Sequence, residues 1–421
     1  ALGPAVGRGG RVTVAAGSFG GTTAQVWAMA VQADGAIVVA GQATVGGVQY
    51  ALVQRYLADG SLDSSFSGDG TALWGYAGYV CEASAVAIDA QGRIVIACTL
   101  SGTTAVARVT ADGVLDTSFG GGNGYAWVDA GLGADLVGAL AIQSDGRILL
   151  GGSAGNDHAL VRWNDDGTLD AGFGSGGIVR TDVAGGFDMI RALVVQDDGR
   201  ILAGGYSTQA GSGIDFTLLR YLASGSVDTG FSGDGRVTTD LGGADIVQAM
   251  VRDASGRVVL AGYDGSGRIA LVRHLADGSL DTAFGQGGLV QQAIGASSGA
   301  GALALRPDGR LVAAGWSSDG TQRDPLLLGL LTDGSLDPGV GSAAATLGGT
   351  VAWTEGATAV VLDADVRLND ADLAQAGSYA GATLTLARQG GAQAQDQFAF
   401  DGLVVTVSGS AVLVDGVQVG S

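Results

Sequence analysis

Residues 253–263 read Asp-Ala-Ser-Gly-Arg-Val-Val-Leu-Ala-Gly-Tyr, and residues 277–285 read Asp-Gly-Ser-Leu-Asp-Thr-Ala-Phe-Gly. These two stretches decide the fold, because each recurs six times along the chain. The second signature ends in Leu62-Asp63, Leu115-Asp116, Leu169-Asp170, Val227-Asp228, Leu280-Asp281 and Leu336-Asp337, at steps of 53, 54, 58, 53 and 56 residues. The first starts from Gly35, Gly92, Gly146, Gly199, Gly256 and Gly309 with the same period. An arginine closes each unit at Arg55, Arg108, Arg162, Arg220 and Arg273, and the last copy is read with Leu330 in that place. A phenylalanine follows Leu-Asp at Phe66, Phe119, Phe173, Phe231 and Phe284, replaced by Val340 in the last copy.

One unit contains four short strand patterns, about Arg236–Leu241, Ile246–Asp253, Arg257–Tyr263 and Arg268–Leu275. Asp-Gly or Ser-Gly between the second and third supplies a tight turn, where glycine accepts a positive φ. The third is a continuous apolar run, the pattern of a strand covered on both faces. Four-stranded repeats of about 54 residues with covered inner strands predict blades of an all-β propeller. Residues 2–10 read as a worn copy of the Leu-Asp-x-x-Phe-Gly segment, with a first strand at Arg11–Ala15, so six complete blades are expected across residues 1–340.

Composition agrees. Glycine supplies 77 of 421 residues, about 18% against an average near 7%, which disfavours helices. All cationic side chains are arginine, and all but two of the 41 acidic ones are aspartate. A net charge of −20 argues against nucleic acid or an anionic membrane as partner. A hydrophobic content of 47% argues against disorder.

The pattern Asp-Gly-x-Leu-Asp-x-x-Phe-Gly, followed later by Asp-Gly-Arg-Ile-x-x-Ala-Gly, resembles the bacterial delta-sixty repeat over residues 1–340. The resemblance implies large secreted or surface-attached bacterial proteins with a propeller-like fold, and it brings no catalytic residues. After a small-residue linker at 341–350 the texture changes. Thr354-Glu-Gly, then Val361-Leu-Asp and Leu368-Asn-Asp-Ala-Asp372, resemble the cadherin-like repeats of giant bacterial adhesins. That resemblance implies a small β-sandwich over 351–421, incomplete because its last strands fall beyond Ser421. It also implies junctional calcium ligands at Glu355, Asp370 and Asp372. Strands are expected at Ala382–Arg388, Leu403–Ser408 and Ala411–Val414. An incomplete sandwich exposes an edge that a strand from another chain could complete.

Other candidate chemistry is thinner. Asp129 with Asp135, Asp182 with Asp188 and Asp240 with Asp245 follow the first strands of their units. Together with the turns at Asp69 and Asp234 they offer hard oxygens for calcium, against the simpler reading of solvated turns. Cys81 and Cys98 flank a hairpin that sets residue 98 opposite about residue 85, which permits a disulfide. His158 and His274 fall in different repeats, in strands read as blade edges, and give no basis for a zinc site or a Ser-His-Asp triad. Glu82 is the only glutamate of the propeller. The six tryptophans do not recur at one repeat position, as a lectin platform would.

Three functions follow as expectations. The first is a non-enzymatic extracellular structural subunit of a filament, surface layer or adhesin, joined to copies of itself through its C-terminal region. The second is a surface-displayed propeller that binds glycan or protein. The third is a calcium-dependent hydrolase or lyase using Glu82. The charge of −20 opposes self-packing unless cations screen it, so calcium dependence is expected of the first.

Overall fold

The structure, a computed structural model, describes residues 14, 16–75, 82–100, 103–128 and 136–340, together with 397–400, 403–408, 411–414 and 417–420. The chain divides into two compact units, Ala1–Gly341 and Ser342–Ser421.

The first unit is a six-bladed β-propeller. Its blades span residues 21–74, 82–128, 136–181, 188–239, 246–292 and 297–330. Each of the first five has four antiparallel strands in chain order from the inside out, the fourth adding the short parallel strand Gly243–Ala244, and three strands of the sixth are described. The inner strands, Gly21–Val31, Glu82–Ile88, Leu136–Ile142, Asp188–Val195, Ile246–Arg252 and Ser297–Leu305, pack successively on one another.

The phase of the repeat differs from the sequence reading. The strand Arg236–Thr239 pairs with Gly213–Tyr221, so it is the outermost strand of the fourth blade rather than the first strand of the fifth. The Leu-Asp-x-x-Phe segment makes a compact turn that sends the chain back alongside the strand it has just left. The crossing to the next blade follows that outer strand. The apolar runs are therefore second strands. Ile94, Val95, Ile96, Ala97 and Cys98 are all buried, as two-sided coverage requires. Of the strand expected at Arg11–Ala15, only Val14 is described, and it lies in no strand.

Every inner strand carries a bulge at the same repeat position, as between Ile190 and Ala192 and between Val247 and Ala249. Opposite it stands the residue that ends the apolar run, glycine in five blades and Cys98 in the second. A Cβ on Gly262 would lie 1.8 Å from the carbonyl oxygen of Ile246, so the strands as paired at this bulge leave no room for one.

The core lies between blades. Leu149 and Leu160 of the third blade meet Ile190, Ile201, Ala203 and Leu219 of the fourth around Phe173. The second unit shows one antiparallel sheet, Gln397–Phe400, Leu403–Ser408, Ala411–Val414 and Val417–Gly420. The second sheet that a cadherin-like sandwich needs is not among the described residues, and the strand expected at Ala382–Arg388 lies outside them.

Candidate metal centre

The repeated arginine, aspartate and phenylalanine form the joints between blades. Arg162 Nε lies 2.8 Å from Asp170 Oδ2 in its own blade. Its Nη1 donates to the carbonyl of Ala223 in the next blade at 2.7 Å. Its guanidinium lies 4.1 Å from the centroid of Phe173. Phe173 is fully buried, and a Cβ on Gly225 of the next blade's turn would sit 2.9 Å from its ring. The same set recurs at Arg55, Arg108, Arg220 and Arg273. Each arginine thus pairs with the aspartate of its own blade and reaches a backbone carbonyl of the next, and Arg108 also meets the carboxylate of the next blade's Asp165 at 2.8 Å. In the sixth blade the position equivalent to these arginines is Gly329, not Leu330: Asp337 N–H bonds the carbonyl of Gly329, as Asp170 N–H bonds that of Arg162. Arg310 takes over Asp337 there, at 3.1 Å.

At the opposite ends of the third strands, five residues before the joint arginines, stand Asp157 in the third blade and Asp215 in the fourth. The crossing segment after each outer strand brings two more carboxylates, Asp182 with Asp188 and Asp240 with Asp245. The two sites share one design. Val183 N–H bonds Asp188 Oδ2 at 2.9 Å, and Leu241 N–H bonds Asp245 Oδ2 at 2.6 Å. Asp188 N–H bonds the Asn156 carbonyl, and Asp245 N–H bonds that of Ile214.

In the fourth blade the carboxylates of Asp215, Asp240 and Asp245 lie within 4.8 Å of one another. Asp245 is fully buried, Asp215 is 3% exposed and Asp240 is exposed. Burial raises the Asp215 carboxyl above its ordinary value; the Ser212 hydroxyl opposes this and the Asp240 charge adds to it. Burial likewise raises Asp245, against N–H bonds from Leu241 and Gly265, with Asp215 and Asp240 adding to the rise. In the third blade burial pushes Asp188 up to about 6, opposed by the Val183 N–H and the Ser207 hydroxyl, with Asp182 and Asp157 contributing. The fourth-blade cluster is of the hard-oxygen kind that suits calcium chemistry. Sequence spacing found the pairs Asp182/Asp188 and Asp240/Asp245. It missed Asp157 and Asp215, because only the strand pairing brings the third strand's start beside the crossing segment.

The remaining expectations fall out differently. Glu355, Asp370, Asp372, Asp129, Asp135 and Cys81 lie outside the described residues. Cys98 is buried and disulfide-bonded, and sits opposite Ala83 across the bulge rather than opposite residue 85. His158 and His274 belong to third strands and are buried, not on blade edges. Burial lowers His158 to about 4, and its Nε2 lies 3.1 Å from the Tyr206 carbonyl oxygen. Asp69 and Asp234 cap their turns through N–H bonds from Thr71 and Arg236. Glu82 opens the inner strand of the second blade.

No curated protein sequence matches the chain. A solved protein from Lactobacillus plantarum is similar at 17% identity, covering 74% of this chain and 83% of its own, with a TM-score of 0.49. A catalytically inactive virginiamycin B lyase from Staphylococcus aureus shares 9% identity over 74% of this chain and 92% of its own, TM-score 0.43. The NanB sialidase from Streptococcus pneumoniae shares 10% identity over 71% of this chain and 66% of its own, TM-score 0.43. At these levels the likenesses carry nothing about activity. Residues 32–66, 91–119, 143–173, 196–231, 254–284 and 306–339 match the family model described as "Domain of unknown function (DUF5122) beta-propeller", one segment for each of the six blades.

Proposed function

We propose that this chain is a non-catalytic building block of an extracellular assembly, a rigid propeller that associates with copies of itself. One observation carries the reading. On the first blade, residues of the face that other blades bury between them are exposed. Val26 is 50% exposed and Met29 64% exposed, whereas their repeat equivalents Val247 and Met250 are 0% and 9% exposed. Trp27 and Val31 extend the same strand's exposed apolar surface. On the sixth blade Leu327 is exposed as well. At each of the five joints inside the molecule such a face packs against the side of another blade, which supports the reading. The sixth blade of a second copy offers one, in a head-to-tail contact that can propagate. The disulfide-bonded Cys98 supports an oxidising, extracellular setting.

Electron microscopy of the purified chain, with calcium and with EDTA, tests this reading. Linear or sheet-like assemblies are expected with calcium, which screens the charge of −20. Isolated rings under both conditions would contradict it.

A second reading, a saccharide-binding propeller, is favoured by one feature. A shallow pocket lined by Asn123, Tyr125, Trp127 and Thr168 places the exposed Trp127 beside polar groups. Saturable glycan binding lost in Trp127→Ala, by a chain that stays monomeric, would support it instead.

A further inference from the structure

We infer that Asp215, Asp240 and Asp245 form a binding site for a hard divalent cation, calcium in the first instance, on the rim of the fourth blade. Three carboxylates converge within 4.8 Å. Like charges at this distance, with two of the three side chains withdrawn from water, repel strongly unless something neutralises them. Among the described residues none of the three is part of an ion pair. The charge that acts on Asp215 is that of Asp240, and those that act on Asp245 are Asp215 and Asp240.

Convergence alone does not make a site, since exposed acidic groups gather at many turns. The second observation is the state of Asp215. Its residue is 3% exposed, and its Oδ1 is buried without a hydrogen-bond partner among the described residues. Its other oxygen accepts the Ser212 hydroxyl at 2.7 Å, and one of the two lies within 4.8 Å of an oxygen of Asp240 and of Asp245. A buried carboxylate oxygen left bare is costly unless a ligand meets it.

The backbone has also been shaped to the purpose. Gly243–Ala244 of the crossing segment pairs in parallel with Gly213–Ile214, which draws the loop bearing Asp240 and Asp245 against Asp215. Asp245 is held from two sides, by Leu241 N–H at 2.6 Å and Gly265 N–H at 3.0 Å. Asp240 is held by Gly242 N–H at 2.8 Å. Each carboxylate keeps lone pairs free for a cation, and calcium's tolerance of six to eight oxygens leaves room for backbone carbonyls and water.

The fifth blade provides an internal comparison. The residue five before its joint arginine is Arg268, where the fourth blade has Asp215. Arg268 Nε lies 2.7 Å from Asp264 Oδ2, and Ser298 stands where the fourth blade has Asp245, its N–H on the Gly267 carbonyl. There the fold supplies its own positive charge at this point of the blade. In the fourth blade it supplies three negative ones, and the positive charge comes from solution.

The test is isothermal titration of CaCl2 into the EDTA-stripped full chain, alongside Asp215→Asn, Asp245→Asn and the exposed control Asp324→Asn. The wild type and the control are expected to bind one equivalent more than either of the other variants, whatever other sites the chain holds. Thermal melts in EDTA separate ligation from a structural role. Asp215→Asn is expected to melt no lower than the wild type without calcium, because it removes a buried, unpartnered charge. It is expected to lose part of the calcium-induced rise. Equal stoichiometry in all four proteins would overturn the assignment. So would a lower melting temperature of Asp215→Asn in EDTA, which would make the carboxylate a structural acceptor.

Discussion

The Arg162 guanidinium lies 4.1 Å above the ring of Phe173 while its Nη1 reaches the Ala223 carbonyl of the next blade. One side chain therefore ties together the turn of its own blade, an aromatic plug and the backbone of its neighbour. The arrangement occurs five times, so the charged residues most visible in the repeat are mortar between blades.

Removing either half of this joint should cost much more than a surface change. Phe173→Ala empties a fully buried site and is expected to lose about 3–5 kcal/mol in urea unfolding. Arg162→Ala leaves Asp170 with Arg147, at 3.3 Å, and the Gly172 N–H, and is expected to lose about 3 kcal/mol. The two losses should fail to add, because each variant also removes the cation–π contact. Losses below about 1 kcal/mol would mean that the blades are held by something else.

Asp188 gives a prediction with a definite sign. Burial pushes its folded pKa up to about 6, above the ordinary aspartate value of 3.8. Above pH 6 the folded state carries an unfavourable buried charge that the unfolded state solvates. Lowering the pH through this window protonates the folded form first and removes the penalty. Asp188→Asn should therefore melt higher than the wild type at pH 7.5, and the gap should close as pH falls from about 6 to about 4. His158 and His274 add their own pH dependence to both proteins, so the readout is the difference between them. A gap that is constant with pH would show that Asp188 does not titrate in this way.

The glycine facing each bulge is the third test. Gly262→Ala places a Cβ 1.8 Å from the Ile246 carbonyl oxygen, and the strand pair must separate to admit it. A loss of about 3 kcal/mol or more in chemical denaturation is expected, beyond the usual range for a glycine-to-alanine change. Alanine at the open turn position Gly287, where a Cβ meets nothing within 4 Å, carries only its strained φ of 65° and should cost less. Equal costs would show that crowding at the bulge is not what selects glycine.

Much of the fold was legible because the repeat is dense in backbone information. The glycine of each Asp-Gly turn, the apolar second strand and the Phe after Leu-Asp each answer a single steric demand, and each recurs at a fixed spacing. The phase of the blade was not legible. Nothing local distinguishes a strand that opens one blade from a strand that closes the one before, since Arg236–Thr239 would pair equally well by pattern on either side. Gly329 was misread as Leu330 for a related reason: a glycine looks neutral in a list of arginines until the Asp337 N–H bond fixes the register. The acidic trio was half legible. Asp240 and Asp245 are neighbours in sequence, but Asp215 joins them through a strand pairing about 25–30 residues upstream. Cys98 was legible as an oddity, the one copy in which the bulge-facing glycine is replaced.

The exposed face of the first blade carries the central claim, and sedimentation velocity of the full chain in calcium tests it most directly. The wild type is expected to show species larger than the monomer that grow with protein concentration. The double variant Val26→Asp/Met29→Asp, which places two charges on that face, is expected to sediment as a monomer with an unchanged far-ultraviolet spectrum. A wild type that remains a monomer at all concentrations, or a variant that assembles as well as the wild type, would contradict the account.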